Sequence, residues 1–287
     1  MRIPSNKLSS ILNFAKTELT QIYEDREIQS FFYLLCEYYL GLNKTAVILN
    51  RDYAVSESEF LKFSSAIKDL KLEKPIQYII EKTEFFGLEF KVNKHTLIPR
   101  PETEELVQWI IEREQAEKEL NILDIGTGSG CIAISLSKKL KNANVLGVDI
   151  SLEALQIAQF NNKNLEANVE FEILDILNPP KNFVTKFDVI VSNPPYVLES
   201  EKLVIKKNVL DYEPEQALFV KDKDPLLFYR KILDFADYNS VKGGRIYFEI
   251  NERMSDELII LLNHKKYHSL ELKNDIHERQ RMIRAEK

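Results

Sequence analysis

The spacing of apolar residues divides the chain into parts that follow different periods. Within residues 1–80 apolar side chains recur every three or four positions, the period of a helix with one buried face. Residues 28–40 are apolar on nearly every side, which is typical of a helix inside a bundle. A further helix is predicted over residues 56–70, capped by Ser56 or Ser58. The pattern therefore predicts a small helical bundle for residues 1–80.

A short alternating segment follows the predicted bundle. Residues 83–92 alternate aromatic and polar side chains around Gly87, which predicts a β-hairpin. With its flanks included, we assign residues 81–98 to a hairpin that links the bundle to the rest of the chain.

From residue 99 to residue 287 the pattern changes to alternating strands and helices. Short apolar runs bounded by turn residues predict strands, and longer amphipathic stretches predict the helices between them. This alternation favours an α/β domain with a parallel, doubly wound sheet. Strands are predicted at residues 121–125, 145–149, 169–174, 187–192 and 245–250 with two more near the end, and helices at residues 104–117, 131–140, 152–164 and 225–238.

Composition and charge narrow the class of protein. The 287 residues are 44% hydrophobic and 29% charged, as expected of a globular protein with a sizeable core. The net charge is −6, and residues 1–80 hold ten basic and ten acidic side chains. This balance argues against a protein that grips a phosphate backbone, so no stable nucleic-acid binding is expected.

The cysteines and histidines do not indicate a metal site. Cys36 and Cys131 lie far apart, and His264 and His268, although four residues apart, have no acidic partner motif nearby. No stretch reaches a membrane-spanning length, and the amino terminus has no signal-peptide core. We therefore expect a protein of the reducing cytoplasm, with no metal and no membrane association.

The most specific chemistry lies in Asn193-Pro194-Pro195-Tyr196. A planar amide or aromatic amino nitrogen is a poor nucleophile, because its lone pair is delocalised, and acceptors must hold it before it attacks a methyl group. The prolines lack an N–H and have a restricted φ, so this backbone presents carbonyl acceptors without competing donors. Asn193 adds a side-chain carbonyl and Tyr196 adds a flat face. The tetrapeptide thus indicates methylation of a planar nitrogen.

An ordinary turn is the alternative interpretation of this tetrapeptide, because Asn and Pro are common turn residues. Its position favours the chemical interpretation. It follows the apolar run at residues 187–192, and open α/β sheets bind ligands at the carboxyl ends of their strands.

A glycine-rich turn, Gly-Thr-Gly-Ser-Gly at residues 126–130, follows the first predicted strand of the sheet. Glycines let a ligand approach the bare backbone at a helix N-terminus, and both dinucleotides and S-adenosylmethionine bind at such turns. A purely structural loop is the other possibility. The dinucleotide fingerprint requires glycine where this chain has Cys131, and no residue suited to hydride transfer is evident. Both facts disfavour a dehydrogenase.

Acidic residues end the next two predicted strands. Asp149 follows the glycines by about twenty residues, where a carboxylate can accept from both ribose hydroxyls. Asp175 could accept from an adenine amino group, and Ile176 could lie against the ring. Each acid could instead cap a helix. Ligand-type positions at three consecutive strand ends favour a bound nucleoside.

Together these segments resemble the class I S-adenosylmethionine-dependent methyltransferases, and more narrowly the N5-glutamine methyltransferases of peptide chain release factors. The resemblance covers nearly the whole chain, although the first segment matches by type only. Its most specific parts are residues 97–104 and the tetrapeptide. Glu81 and His277 stand where that family commonly has glycine, which affects turns rather than chemistry. The other matching parts are residues 75–90, the glycine turn, residues 212–218, and Asp275 with Arg281.

The resemblance implies a seven-stranded, mostly parallel sheet, an N-terminal bundle that recognises the substrate, and methylation of the glutamine in the Gly-Gly-Gln loop of release factors. Asn193 and the Pro194 carbonyl would hold the amide hydrogens, with Tyr196 against the glutamine and Pro195 completing the substrate site. The implied S-adenosylmethionine site comprises Gly126, Thr127, Gly128, Ser129, Gly130, Asp149, Asp175, Ile176 and Asn193, with Arg100 and Thr103 at the methionine end.

Two rival functions remain open at this point. N6-adenine methyltransferases of DNA or RNA face the same planar amino group and use a similar tetrapeptide, although acidity and a neutral first segment count against them. A non-catalytic binding protein on the same fold is the other rival, and the presence of Asn193 and Asp149 disfavours it.

Overall fold

The computed structural model describes residues 5–114, 119–180 and 183–287. Their contacts divide the chain into two compact units. The first unit holds the described residues up to Glu81 together with Lys206–Tyr212, and the second holds those of Lys82–Ile205 and Glu213–Lys287. Each unit has a hydrophobic core of its own.

The first unit is helical, as the apolar spacing predicts. Its core is formed by the inward faces of three long helices, with Ile11, Phe32 and Phe63 among the most buried side chains. Ser56 caps one of them through a capping box with Glu59, which confirms the predicted cap. The helices are α1 Leu8–Leu19, α2 Asp25–Leu40, α3 Lys44–Leu49, α4 Glu57–Lys71 and α5 Ile76–Ile79.

A segment from much later in the chain also belongs to the first unit. Lys206–Tyr212 packs against the end of α4, where the Tyr212 hydroxyl donates to the Leu72 carbonyl at 2.8 Å. Lys207 Nζ lies 3.8 Å from a Glu73 carboxylate oxygen. The apolar pattern of this segment does not indicate such an association, because it is short and mostly polar.

The second unit is built on a seven-stranded sheet with strand order β10-β11-β9-β6-β3-β4-β5. Strands β9, β6, β3, β4 and β5 run parallel to one another, whereas β11 pairs antiparallel with both β9 and β10. This arrangement confirms the predicted doubly wound, mostly parallel sheet. Its strands are β3 Leu120–Ile125, β4 Ala143–Asp149, β5 Val169–Ile173, β6 Phe187–Ser192, β9 Ser240–Glu249, β10 His268–Asn274 and β11 Gln280–Glu286.

Helices cover both faces of this sheet and bury it in two apolar clusters. One cluster contains Trp109 and Ile132, and the other contains Tyr229 and Leu258. A two-residue strand pair, β7 Val197–Leu198 and β8 Phe219–Val220, lies beyond the tetrapeptide. The helices are α6 Pro101–Arg113, α7 Cys131–Lys139, α8 Leu152–Asn164, α9 Lys207–Leu210 (in the first unit), α10 Glu215–Leu218, α11 Leu227–Asn239 and α12 Ser255–His264.

The predicted hairpin forms from β1 Lys82–Phe85 and β2 Leu88–Lys91, and it is part of the second unit. Phe85 and Phe90 are fully buried in the core beside the sheet. The Asn161 side chain on α8 accepts from the Lys91 N–H at 2.7 Å and donates to the Lys91 carbonyl at 2.9 Å. The hairpin is therefore an integral part of the sheet domain, and its role as a link stays a prediction.

The limits of most predicted elements agree with the structure to within a few residues. Strand β9 begins five residues before the predicted Arg245, and the pattern did not predict α3, α5, α9, α10, α12, β7 or β8. The predicted end of the first sheet-domain helix, Glu117, lies outside the described residues. Among the described residues, no helix is both long enough and apolar enough to cross a membrane.

Candidate active site

A cavity of about 270 Å³ opens at the carboxyl edge of the sheet, where the strand order reverses between β3 and β6. The loops that follow β3, β4, β5 and β6 all contribute to its walls. Most residues predicted for the site meet there, while Gly130 and Tyr196 are not among its lining residues. The predicted residues that line it are Arg100, Thr103, Gly126, Thr127, Gly128, Ser129, Asp149, Asp175, Ile176, Asn193, Pro194 and Pro195.

The glycine turn after β3 uses all three glycines, but for different reasons. Gly126, Gly128 and Gly130 have φ values of 76°, 56° and 81°, in the left-handed region that favours glycine. A Cβ on Gly126 would meet nothing within 4 Å, so this backbone is open to a ligand. A Cβ on Gly130 would lie 3.0 Å from Ile134 and 3.2 Å from Ala158. Gly130 is therefore favoured both by its φ and by the close packing of the turn against α7 and α8.

Asp149 lies beside this turn at the end of β4. Its Oδ2 accepts from the Gly128 N–H and its Oδ1 from the Ser151 N–H, each at 2.9 Å. Burial raises the pKa of Asp149, and the hydrogen bonds from these backbone N–H groups oppose the rise. A carboxylate has about four lone-pair sites, so Asp149 can accept further bonds from a ligand hydroxyl pair.

Asp175 lies on the next loop, after β5. Its Oδ1 accepts from the Leu177 N–H and its Oδ2 from the Asn178 side-chain amide, each at 2.9 Å. This carboxylate thus holds its own turn and also lines the cavity, and it does not cap a helix, which was the alternative that the sequence left open. Ile176 beside it presents an apolar surface to the same cavity.

Asp124 is a buried acid behind the turn that the sequence analysis passed over. One oxygen accepts from the Thr127 hydroxyl at 2.6 Å and the Ala133 N–H at 3.2 Å. Its other oxygen, Oδ1, has no hydrogen-bond partner among the described residues, and neither has the buried Ser129 hydroxyl. Burial raises the pKa of Asp124 to about 7.

These features fit a ligand that carries ribose hydroxyls, a planar base and a cationic group. The carboxylate of Asp149 can accept from the hydroxyls, and the apolar side chain of Ile176 can lie against the base. The open backbone at Gly126 leaves room for the ligand beside them. The carboxylates of Asp149 and Asp175 on the cavity wall favour a cationic group in the ligand. S-adenosylmethionine has all three groups, and the donor set suits it.

The tetrapeptide follows β6 directly opposite the glycine turn. The Ser192 hydroxyl donates to the Ile125 carbonyl at 2.7 Å and ties the ends of β6 and β3 together. Asn193 lines the cavity, and its Nδ2 donates to Thr103 Oγ1 at 3.3 Å. The ends of the two strands therefore bring the tetrapeptide and the glycine turn into one cavity.

Tyr196 is directed towards Glu249 at the end of β9. Its hydroxyl donates to Glu249 Oε1 at 2.9 Å, and the Arg281 guanidinium lies 5.9 Å from its ring centroid. Burial raises the pKa of Tyr196 well above its usual range, so the phenol stays protonated. Thr103 donates to the other oxygen of Glu249 at 2.6 Å. The sequence analysis missed Glu249, since a lone acid at a strand end has no distinctive spacing.

A second missed acid, Glu213, holds the segment that enters α6. Its Oε2 accepts from the Ile98 N–H at 3.1 Å, and its Oε1 accepts from Arg100 Nη2 at 2.5 Å. Glu213 is 5% exposed, whereas the Arg100 side chain is 32% exposed, so only the carboxylate of this ion pair is shielded from water. Arg100 lines the cavity with its guanidinium already paired. The motif Tyr212-Glu213-Pro214 pointed to Glu213, but a sequence motif alone does not show what Glu213 contacts.

Neither a thiolate nor a metal cluster is available at this site. Burial raises the pKa of Cys131, on the cavity wall, to about 12, so the thiol stays protonated at neutral pH. Within the three described ranges of the chain, no group of three His, Cys, Asp or Glu side chains could hold a metal ion.

Comparison with known proteins agrees with this geometry. A methyltransferase-domain family model matches residues 116–283, and a PrmC N-terminal domain model matches residues 10–80. Among solved structures, a methyltransferase from Pyrococcus furiosus aligns with a TM-score of 0.50 at 19% identity, over 71% of this chain and 90% of that one. A 16S rRNA methyltransferase from Thermus thermophilus aligns with a TM-score of 0.51 at 18% identity, over 72% and 49%. Both show the class I methyltransferase fold.

Relatives in sequence are more specific. The release factor glutamine methyltransferase of Flavobacterium psychrophilum is 48% identical over 270 residues, which is 93% of this chain and 94% of that protein. The enzyme of the same name from Bacteroides thetaiotaomicron is 41% identical over 278 residues, or 97% and 99%. On this evidence the chain belongs to the family of release factor glutamine methyltransferases.

Proposed function

We propose that this protein transfers a methyl group from S-adenosylmethionine to the side-chain amide nitrogen of the glutamine in the Gly-Gly-Gln loop of peptide chain release factors. The observation that carries the proposal is the meeting of Asn193 and Pro194 with the glycine turn and Asp149 in one cavity. Membership of the family supplies the substrate class. Release factors act in translation termination, so the proposed reaction belongs to the cytoplasm.

The cofactor would be held by the loops after β3, β4 and β5. Asp149 would accept from the ribose hydroxyls, Ile176 would lie against the adenine, and the open backbone at Gly126 would admit the methionine part. When bound, S-adenosylmethionine supplies a methyl group on a positively charged sulfur. Asp175 keeps its own turn in place and so shapes the adenine end.

The tetrapeptide would prepare the nitrogen. Asn193 Oδ1 and the Pro194 carbonyl would accept from the two amide hydrogens, which turns the nitrogen lone pair towards the methyl carbon. The nitrogen would gain the methyl group as the C–S bond breaks with its electron pair left on sulfur, and the nitrogen would then lose one proton to water. The site accelerates this step by orientation and by acceptors for the charge that grows on nitrogen. A general base is not required, because the proton becomes acidic only as the bond forms.

We also propose that the helical residues 1–80 recognise the folded release factor, whereas the sheet domain does the chemistry. A protein substrate offers a surface far larger than its reactive loop, and standard protein interfaces bury about 800 Å² per partner. The near-equal numbers of acidic and basic side chains in this part fit a protein partner better than a phosphate backbone.

The test is methyl transfer with tritiated S-adenosylmethionine in three parallel reactions. One contains a release factor, one contains the same factor with its loop glutamine replaced by alanine, and one contains duplex DNA. We expect tritium label only in the release factor that keeps its loop glutamine. Label in DNA would identify the adenine methyltransferase alternative, and no label in any reaction would identify a binding protein that kept the fold.

A further inference from the structure

The Asn193 carboxamide can take two orientations that have the same shape but exchange a hydrogen-bond acceptor with a donor. Rotation by half a turn exchanges its oxygen, which accepts, with its NH₂, which donates. Only the oxygen can accept from the amide hydrogens of a substrate glutamine. A turned carboxamide would place a donor against a donor, so the active site needs a device that sets the orientation.

Three residues supply such a device. Thr103 Oγ1 lies between its two partners: it donates its only hydrogen to Glu249 Oε2 at 2.6 Å, and it accepts from Asn193 Nδ2 at 3.3 Å. Because that hydrogen is committed to Glu249, the threonine can offer Asn193 only a lone pair. Asn193 must therefore turn its NH₂ towards Thr103, which leaves its oxygen for the substrate. We call Glu249, Thr103 and Asn193 the Asn193 anchor.

The position of Glu249 in the sheet makes this arrangement firm. Ser192 on β6 pairs with Phe248 on β9, so the register places Glu249 beside Asn193. Glu249 is 1% exposed, and its second oxygen accepts from the Tyr196 hydroxyl. Asn193, through Thr103, and Tyr196, directly, thus both depend on the buried Glu249 carboxylate.

We propose that Glu249 and Thr103 are positioning residues, which act on the reaction through the orientation of the Asn193 carboxamide. This inference rests on the function proposed above and adds to it two residues that do not touch the reacting atoms. It differs from the sequence expectation for Thr103, which was a contact with the methionine end of the cofactor. Thr103 is 2% exposed, and its only donor is already used.

Two substitutions at position 103 separate these roles. Thr103→Val keeps the shape and removes the hydroxyl, and we expect turnover to fall 10- to 100-fold while the dissociation constant of S-adenosylmethionine changes less than threefold. Thr103→Ser keeps the hydroxyl and should recover at least a third of the wild-type turnover. A tenfold weaker cofactor affinity in Thr103→Val, with normal turnover at saturation, would overturn the proposal.

A double-mutant cycle tests whether Thr103 acts through Asn193. Asn193→Asp replaces the carboxamide by a group with two equivalent oxygens, whose orientation no longer matters. Addition of Thr103→Val to Asn193→Asp should therefore cause no further loss of turnover, since the substituted carboxylate has no NH₂ for Thr103 to hold. A further tenfold loss in the double variant would show that Thr103 acts by another route.

A measurement without substrate or cofactor keeps the anchor testable apart from activity. In the free protein, the ¹⁵N-labelled side-chain NH₂ signals of Asn193 are assigned by their loss in Asn193→Asp. We expect Thr103→Val to shift these signals and to speed their hydrogen exchange at least tenfold, and Thr103→Ser to leave them close to wild type. Unchanged signals in Thr103→Val would reject the anchor. Absence of release-factor methylation in the wild type would instead reject the proposed function, with the anchor judged by its signals alone.

Discussion

The two sides of the cavity are held in place in different ways. On the donor wall, made of the loops after β3, β4 and β5, each carboxylate binds a backbone N–H of its own turn: Asp149 binds Ser151, two residues away, as well as Gly128, 21 residues away, and Asp175 binds Leu177, two residues away. On the acceptor wall, made of the tetrapeptide with Thr103 and Glu249, partners are remote in sequence. Thr103 and Asn193 are 90 residues apart, and Thr103 and Glu249 are 146 apart.

Because of this difference, the two walls should respond differently to substitutions. A turn that is held by its own residues forms wherever its strand forms, so damage to the donor wall should remain local. The acceptor wall depends on strand register and on the position of α6, so one substitution there should disturb several groups. We therefore expect substitutions on the donor wall to affect cofactor affinity and those on the acceptor wall to affect turnover.

The largest effect is expected from Asn193→Ala on the acceptor wall. It removes an acceptor that the growing charge on nitrogen requires, so turnover should fall by about 10³-fold. Cofactor affinity should weaken by less than about tenfold, because Asn193 is one contact among many. Tritium transfer and calorimetric titration measure the two quantities. Equal losses in both would contradict the separation of the walls.

Asp149→Ala is the matching change on the donor wall. We expect the dissociation constant of S-adenosylmethionine to rise about 100-fold, since hydrogen bonds to a charged acceptor are lost, and turnover at saturating cofactor to fall less than about threefold. Steady-state kinetics over a wide cofactor range gives both values. An unchanged cofactor affinity would discard the ribose role of Asp149.

The next effect concerns stability and pH at Asp124. Its pKa is raised to about 7 by burial, so the folded protein holds a proton that the unfolded chain releases near pH 4. The protonated Asp124 carboxyl therefore stabilises the folded protein fully at pH values below its unfolded pKa. This contribution falls as the pH rises towards the folded pKa of about 7 and is lost above it. In the cofactor-free protein, Asp124→Asn should gain roughly 4 kcal/mol relative to wild type between pH 4 and pH 8. Urea unfolding at a series of pH values measures the difference, and a constant difference would mean that Asp124 is ionised throughout.

Gly147→Ala tests the packing behind the donor wall. An added Cβ would lie 2.7 Å from Phe171 Cε1 and 2.9 Å from Thr127 Oγ1. We expect unfolding to become easier by about 1–2 kcal/mol and cofactor affinity to fall, with turnover at saturation largely kept. Gly87→Ala is the control, because its Cβ would meet nothing within 4 Å and only its left-handed φ of 70° adds strain. A drop in saturated turnover for Gly147→Ala alone would show that the two walls are coupled.

The smallest effect is expected from Tyr196→Phe. The ring remains, and only the hydrogen bond to Glu249 is lost. Turnover should fall less than about fivefold, since Thr103 still donates to Glu249 and the Asn193 anchor stays complete. A loss above 100-fold would mean that the Tyr196 hydroxyl has a direct part in the reaction.

Much of the sheet domain could be predicted from sequence because its signals are local. The strand and helix limits around the glycine turn came from apolar runs and turn residues, and α8 has the predicted bounds, Leu152–Asn164. The glycine turn and Asp149 followed from strand ends. The release-factor function could not be read from these signals, since it came from the resemblance and then from the relatives.

Other features of the site depend on contacts that no local pattern reports. Glu249 holds Thr103 and Tyr196, although it is a single acid in an ordinary stretch. Glu213 holds Arg100, and the motif around Glu213 does not show this contact. The inclusion of Lys206–Tyr212 in the helical unit is a further case.

The sequence by itself determined which segments become strands and helices, which turn requires glycine, and which tetrapeptide can present acceptors to a planar nitrogen. Only the tertiary structure decided which side chains hold those groups in position. The physical reason is that alternation of apolar residues specifies the face on which a side chain lies, whereas strand order and register specify its neighbour. Glu249 meets the tetrapeptide because β9 lies beside β6 in that register.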